Sequence, residues 1–203
     1  MNKSTKKILF ASLGLLCAAA AIVIVYYMIT QGKIGSPRAD KSPSELQQLL
    51  EKDLETKYPG TPTEVVKLYW RYNKYVYNNS VEDKDFEGLL KQMRMLYDEE
   101  MLAVEENSFE TMLANLKKDT QAYQKDGQVI STCSVQQNST VQYNTIDGKE
   151  CATVITGTGL KKKNERKQTY EKFLCRKNNK GEWHIVGWQQ TTDKNDIATL
   201  GEK

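Results

Sequence analysis

The chain contains one histidine, His184, and four cysteines, so few groups could exchange protons or attack an electrophile near neutral pH. His184 alternates with Trp183 and Ile185 in a strand-like stretch. That alternation turns it to the opposite face from those two residues, toward solvent or a cavity rim. Asp98, Glu99 and Glu100 are consecutive on an expected helix, where neighbours point in different directions and do not converge on one atom. Cys133, Cys151 and Cys175 show no CxxC spacing, and with a single histidine they cannot make a zinc site of ordinary ligand spacing. The sequence has no GxSxG elbow, HExxH helix, phosphate-cradling glycine loop or EF-hand loop. We therefore assign no catalytic, cofactor-binding or metal-binding residue. An enzymatic reading would need a carboxylate buried among apolar neighbours, or His184 itself.

Two other groups of residues could recognise rather than react. Tyr69, Trp70, Tyr72, Tyr75, Trp183 and Trp188 offer rings that either fill a core or stack on a ligand. The run Lys161-Lys162-Lys163-Asn164-Glu165-Arg166-Lys167 either keeps a hairpin tip soluble or meets an anionic polymer or lipid head group. Nucleic acid is not an expected partner.

Positioning these groups requires a membrane tether and one folded domain. Residues 8–30 carry no charged side chain. Twenty-three helical residues reach about 34 Å, enough to cross a hydrocarbon layer of about 30 Å. A secretory signal has a shorter apolar core, and here Ile22–Ile29 continues the run past the small residues Ala19 and Ala21. Lys3, Lys6 and Lys7 crowd the N-terminal flank, which places residues 1–7 in the cytoplasm and the C-terminal domain outside the cell membrane. The span would make the lipid bilayer a partner through residues 8–30, with residues 31–43 as a linker.

Residues 44–126 read as helices. Ser42-Pro43-Ser44-Glu45 and Thr61-Pro62-Thr63-Glu64 are capping-box patterns. Apolar periodicity then predicts helices over about 62–78, about 83–105, and from Phe109 to the Asp126-Gly127 exit. From Gln128 the pattern changes to β-branched alternation over 129–137, 140–145, 150–160, 168–177 and 182–191, with turns at Asp147-Gly148 and 178–181. Helices followed by strands predict an α+β domain over 44–191, helices packed on an antiparallel sheet, and a loose tail over 192–203. Charge divides unevenly: residues 44–126 carry eleven basic and seventeen acidic side chains, residues 127–203 twelve and eight. If residues 161–165 form a hairpin tip, with 160 opposite 166, Cys151 faces Cys175. The pair is then either a disulfide or two adjacent thiols, and a slip of one residue separates them.

The segments DLETKYPGTPTEVVKLY, QMRMLYDEEML and GEWHIVGW, in this order of elements, resemble the nuclear-transport-factor-two-like cone fold. More narrowly, the chain is similar to an uncharacterised Gram-positive bacterial family of single-span proteins with such a domain outside the cell. The resemblance covers about 44–190. It implies a curved sheet wrapped against helices around a conical cavity flanked by the first long helix and the last strand, which makes Tyr69, Tyr72 and Trp188 the candidate cavity-lining residues. On this reading the domain binds a small ligand or an envelope protein without catalysis. The alternatives are a small isomerase- or dehydratase-like enzyme and a structural subunit of an envelope complex.

Overall fold

The computed structural model describes residues 43–201, and the expected membrane span at 8–30 lies outside them. Among the described residues no helix is long and apolar enough to cross a membrane. The fold is α+β, with helices packed on an antiparallel sheet.

Helix α1 (Glu45–Leu50) begins two residues later than the capping pattern around Pro43 suggests. Helix α2 (Pro62–Asn78) starts as expected, because Thr61 and Glu64 form a reciprocal capping box. The Glu64 N–H donates to Thr61 Oγ1 at 3.2 Å, and the Thr61 N–H donates to Glu64 Oε2 at 3.1 Å.

The helix expected over 83–105 is broken. Helix α3 (Asp83–Arg94) ends and a short α4 (Glu99–Leu102) follows, because the backbone between them is recruited by the sheet. Ile185 N–H donates to Leu96 O at 2.8 Å and Asp98 N–H to Ile185 O at 2.9 Å, which a continuous helix would forbid. Helix α5 (Phe109–Lys125) then leads into the sheet.

The strands are β1 (Gln128–Val135), β2 (Gln142–Ile146), β3 (Lys149–Lys162), β4 (Glu165–Lys177) and β5 (Trp183–Gln190). Their order is β1-β3-β4-β5, with β2 also paired to β3, and every pair is antiparallel. Asp147 and Gly148 adopt φ of 50° and 74°, the left-handed pair that a two-residue hairpin between β2 and β3 requires.

One face of the sheet meets the helices. Alternation puts Ala152, Val154, Thr156, Thr158 and Leu160 of β3 on it, opposite Cys175, Phe173, Glu171, Thr169 and Lys167 of β4. The core is built there: Val65, Val66, Leu68 and Val76 of α2 pack with Leu89 and Met93 of α3 and with Val154, Phe173 and Ile185.

The β3–β4 register differs by one residue from the expected one. Its tip is the two-residue turn Lys163-Asn164, with Lys163 at φ 51°, so Cys175 faces Ala152 and Cys151 faces Arg176. Cys151 and Cys175 therefore lie on opposite faces of the sheet, and both are free thiols. The segment after Thr192, expected to be loose, forms a short helix α6 (Lys194–Ala198) that packs against β3. Asp193 caps it, and Asp196 accepts from Thr191 Oγ1 and pairs with Lys172 at 2.7 Å. Gly157 leaves room there for Leu200, whose Cδ1 would lie 3.2 Å from any Cβ at that position.

Candidate functional site

Two clefts place carboxylates beside hydrogen-bonding partners, and they differ in whether those carboxylates meet a cation. The first, of about 310 Å³, runs past Asp98, Lys149, Arg176, Asn178 and His184. Arg176 Nε donates to Asp98 Oδ2 at 2.9 Å, its Nη2 pairs with Asp98 Oδ1, and its Nη1 reaches Glu100 Oε2 at 2.9 Å. Asp98 and Glu100, two of the three consecutive acids, do not converge on one atom but meet different nitrogens of one guanidinium, because Asp98 is the cap of α4 rather than a residue inside a helix. Burial by itself would favour the neutral acid, but Arg176 and the Glu100 N–H outweigh it and hold the Asp98 carboxyl below its usual range.

His184 is equally committed. Tyr58 Oη donates to Trp183 O at 2.9 Å and lies 3.3 Å from His184 Nδ1, while Asn178 Nδ2 lies 3.0 Å from Nε2. With the Tyr58 proton on Trp183 O, the ring donates from Nδ1 to Tyr58 and accepts at Nε2 from Asn178. Asn178 in turn pins the β4–β5 turn through Glu182, its Oδ1 accepting from the Glu182 N–H at 2.9 Å. These bonds lock the β4–β5 turn and leave no ring nitrogen for a substrate.

The second cleft, of about 420 Å³, opens between α2, α5 and the helix-facing side of the sheet. Its helical wall is the stripe Tyr69, Asn73 and Tyr77, spaced by four residues on α2, with Trp70 beside it. Tyr77 and Tyr123 of α5 meet edge to face with ring centroids 4.7 Å apart. At the mouth, Trp188 stacks on Phe173 with centroids 5.6 Å apart and lies 5.3 Å from Tyr69, yet stays 42% exposed. Trp70 Nε1 is buried without an acceptor among the described residues.

The floor is a carboxylate. Glu171 Oε2 accepts from Thr156 Oγ1 at 3.1 Å and Thr158 Oγ1 at 3.4 Å, and its Oε1 accepts from Thr169 Oγ1 at 3.0 Å. Thr156 and Thr158 are fully buried and Glu171 is partly buried. Among the described residues no ion pair is made to Glu171. Burial chiefly raises the phenol of Tyr69, with smaller contributions from Tyr97, Tyr77 and Glu171, and that of Tyr123, with smaller contributions from Asp119 and Glu171. Burial and the same carboxylate push the neighbouring Cys133 thiol up to about 12. The surroundings of Glu171 are thus protonated phenols and an inert thiol. Among the described residues no group of three His, Cys, Asp or Glu is placed to hold a metal ion.

Of the residues singled out from sequence, the structure brings Tyr69, Trp70 and Trp188 to this cleft. Tyr72 is not there. It lies about 60° around α2 from Tyr69 and turns toward α1, fully buried, donating to Leu49 O at 3.0 Å, and burial pushes its phenol up to about 12. Trp183 is buried elsewhere, beside Tyr143 and under Lys177. Of the basic run, Lys167 stands exposed at the rim of the cleft. Lys162 pairs with Asp126 at 2.6 Å.

Glu171 and its three threonines were missed from sequence. The available signal is a switch from Val154 to Thr156 and Thr158 along one strand face, matched by Thr169 and Glu171 on another strand.

Residues 1–188 match the model of a family described as Domain of unknown function (DUF6715), and the chain belongs to that family. Comparison with curated proteins finds no match.

Proposed function

We propose that this protein is a membrane-tethered domain that binds a small ligand in the cleft between α2 and the sheet, outside the cell. The observation that carries the reading is the cleft itself. Five aromatic rings surround open space above a carboxylate held by threonine hydroxyls, and an exposed tryptophan stands at the entrance. The tether rests on the uncharged stretch 8–30 and its lysine flank.

The cone-type architecture belongs to the same proposal. Register shifts interrupt the β1–β3 ladder between Ile130 and Thr132 and the β4–β5 ladder between Leu174 and Cys175, a feature that bends strands, and α2 packs against β1, β3 and β5. These features support the cone-type curvature; the likeness to the Gram-positive single-span family rests on the sequence segments alone.

A second reading, a small cone-fold enzyme, is favoured by one observation: Glu171 borders open space, as a proton-transferring carboxylate would. One experiment separates the two. The full chain is incubated with the small-molecule extract of its own cells, washed, and the bound compounds are identified by mass spectrometry beside a Trp188→Ala control. A compound recovered unchanged, and missing from the control, supports binding; its conversion to a new mass supports the enzyme; equal recovery from both proteins refutes the cleft as a site. Cleavage of the C-terminal domain by protease added to intact cells tests the location, and full protection would refute it.

A further inference from the structure

The charge balance of the cleft identifies what it would hold. Glu171 is a partly buried carboxyl with which no cation pairs among the described residues, and a carboxylate that loses part of its water ordinarily acquires one. Three hydroxyls occupy three of its about four lone-pair directions. Lys74 of α2 reaches instead to Ser131 O at 3.3 Å, and Lys167 is exposed at the rim. Above the carboxylate stand rings whose faces carry partial negative charge, which attracts cations. An anion would meet Glu171 and those faces together.

We infer that the cleft takes an organic cation, an amine with an apolar body, whose ammonium group pairs with Glu171 while the body lies against Trp188 and Tyr69. The inference rests on the cleft being a ligand site and adds the ligand's chemical class. Carboxylate and rings together favour such a cation twice, through a charge-assisted contact and through the ring faces. Trp188, only partly covered by Phe173, Tyr97 and Tyr69, offers its remaining surface to the apolar body.

The test uses the full chain in an uncharged maltoside detergent. Binding is followed by tryptophan fluorescence and by calorimetry with three probes of similar size: benzylammonium, benzyl alcohol and benzoate. The cation should saturate the site at least about tenfold more tightly than benzyl alcohol, with benzoate weakest. Glu171→Gln should weaken the cation at least about tenfold and leave benzyl alcohol nearly unchanged. Lys167→Ala, a rim substitution that touches no core residue, should tighten the cation about two- to threefold by removing a like charge. Equal affinity for cation and alcohol, a folded Glu171→Gln protein that still binds the cation fully, or a Lys167→Ala protein that binds it no better would overturn the inference. Binding of benzyl alcohol alone, lost in Trp188→Ala, would refute the cation while the cleft stands; failure of all three probes would refute both.

Discussion

Replacing Trp188 by Ala separates a ring that seals a core from one that forms the wall of a site. A fully enclosed aromatic side chain covers up to about 250 Å². Trp188 is 42% exposed, so about 140 Å² leaves water on folding, worth about 3.5 kcal/mol at about 25 cal/mol per Å². That figure is an upper bound, since the unfolded chain already hides part of this area. The variant also keeps its Cβ, and the mobile ends of neighbouring rings can close in. We expect a loss of about 2 to 3 kcal/mol, below the about 3 to 5 kcal/mol typical of an enclosed tryptophan. Urea unfolding of the full chain, followed by circular dichroism with an unchanged denaturant slope, reads this directly. The melting temperature should fall by about 4 to 12 °C. A loss above about 4 kcal/mol would mean that Trp188 closes a sealed core and the cleft does not exist. A loss below about 1 kcal/mol would mean that the stack on Phe173, with ring planes 21° apart, does not form.

Three further outcomes follow from named contacts. Asp98→Asn keeps the α4 cap but removes the charge facing Arg176, whose remaining acid is Glu100; at pH 6 it should cost about 2 to 3 kcal/mol. Because the folded Asp98 carboxyl titrates below its unfolded value of about 3.9, its contribution is complete above that pH and vanishes as pH falls through the folded value. The gap between wild type and variant should therefore close toward pH 2, and a constant gap would refute the ion pair. Cys175, pushed up to about 12 by burial and by Cys151, and Cys133 should both resist iodoacetamide at pH 8. After denaturation without reductant all thiols should react, whereas any non-reacting pair would reveal a disulfide. Gly159→Ala places a Cβ against Thr132 Oγ1 beside the β1 bulge and should destabilise the domain by about 1 to 3 kcal/mol, with unfolding unchanged from wild type as the contrary result.

Local chemistry made much of this fold readable. Thr61 and Glu64 mark a helix start with their own side chains, and Asp147-Gly148 marks a turn by the backbone angles it tolerates. What resisted reading depends on partners distant in sequence. The run from Asp83 keeps a helical rhythm through Leu96, but Ile185 claims the Leu96 carbonyl, and a strand-like connection replaces the helix there. The β3–β4 register turned on where a lysine-rich tip reverses, and a non-glycine residue, Lys163, takes the left-handed position. Trp188 entered the candidate site through resemblance. Glu171 did not, because a polar residue in an alternating strand reads as solvent-facing until Thr156 and Thr158 are seen beside it. Tyr72 and Tyr69 share one side of α2 by their spacing, yet the offset of about 60° between them is enough to send Tyr72 to the Leu49 carbonyl of α1 and leave Tyr69 over the cleft, and only the packed partners decide which goes where.

The three tryptophans report on the central claim, since Trp70 and Trp188 line the cleft and Trp183 does not. Their indole N–H resonances can be followed in the ¹⁵N-labelled full chain as benzylammonium is added. The signals of Trp70 and Trp188 should move together and saturate while that of Trp183 stays fixed. Movement confined to Trp183 and the His184 side of the molecule, or no movement of the cleft pair, would contradict the account.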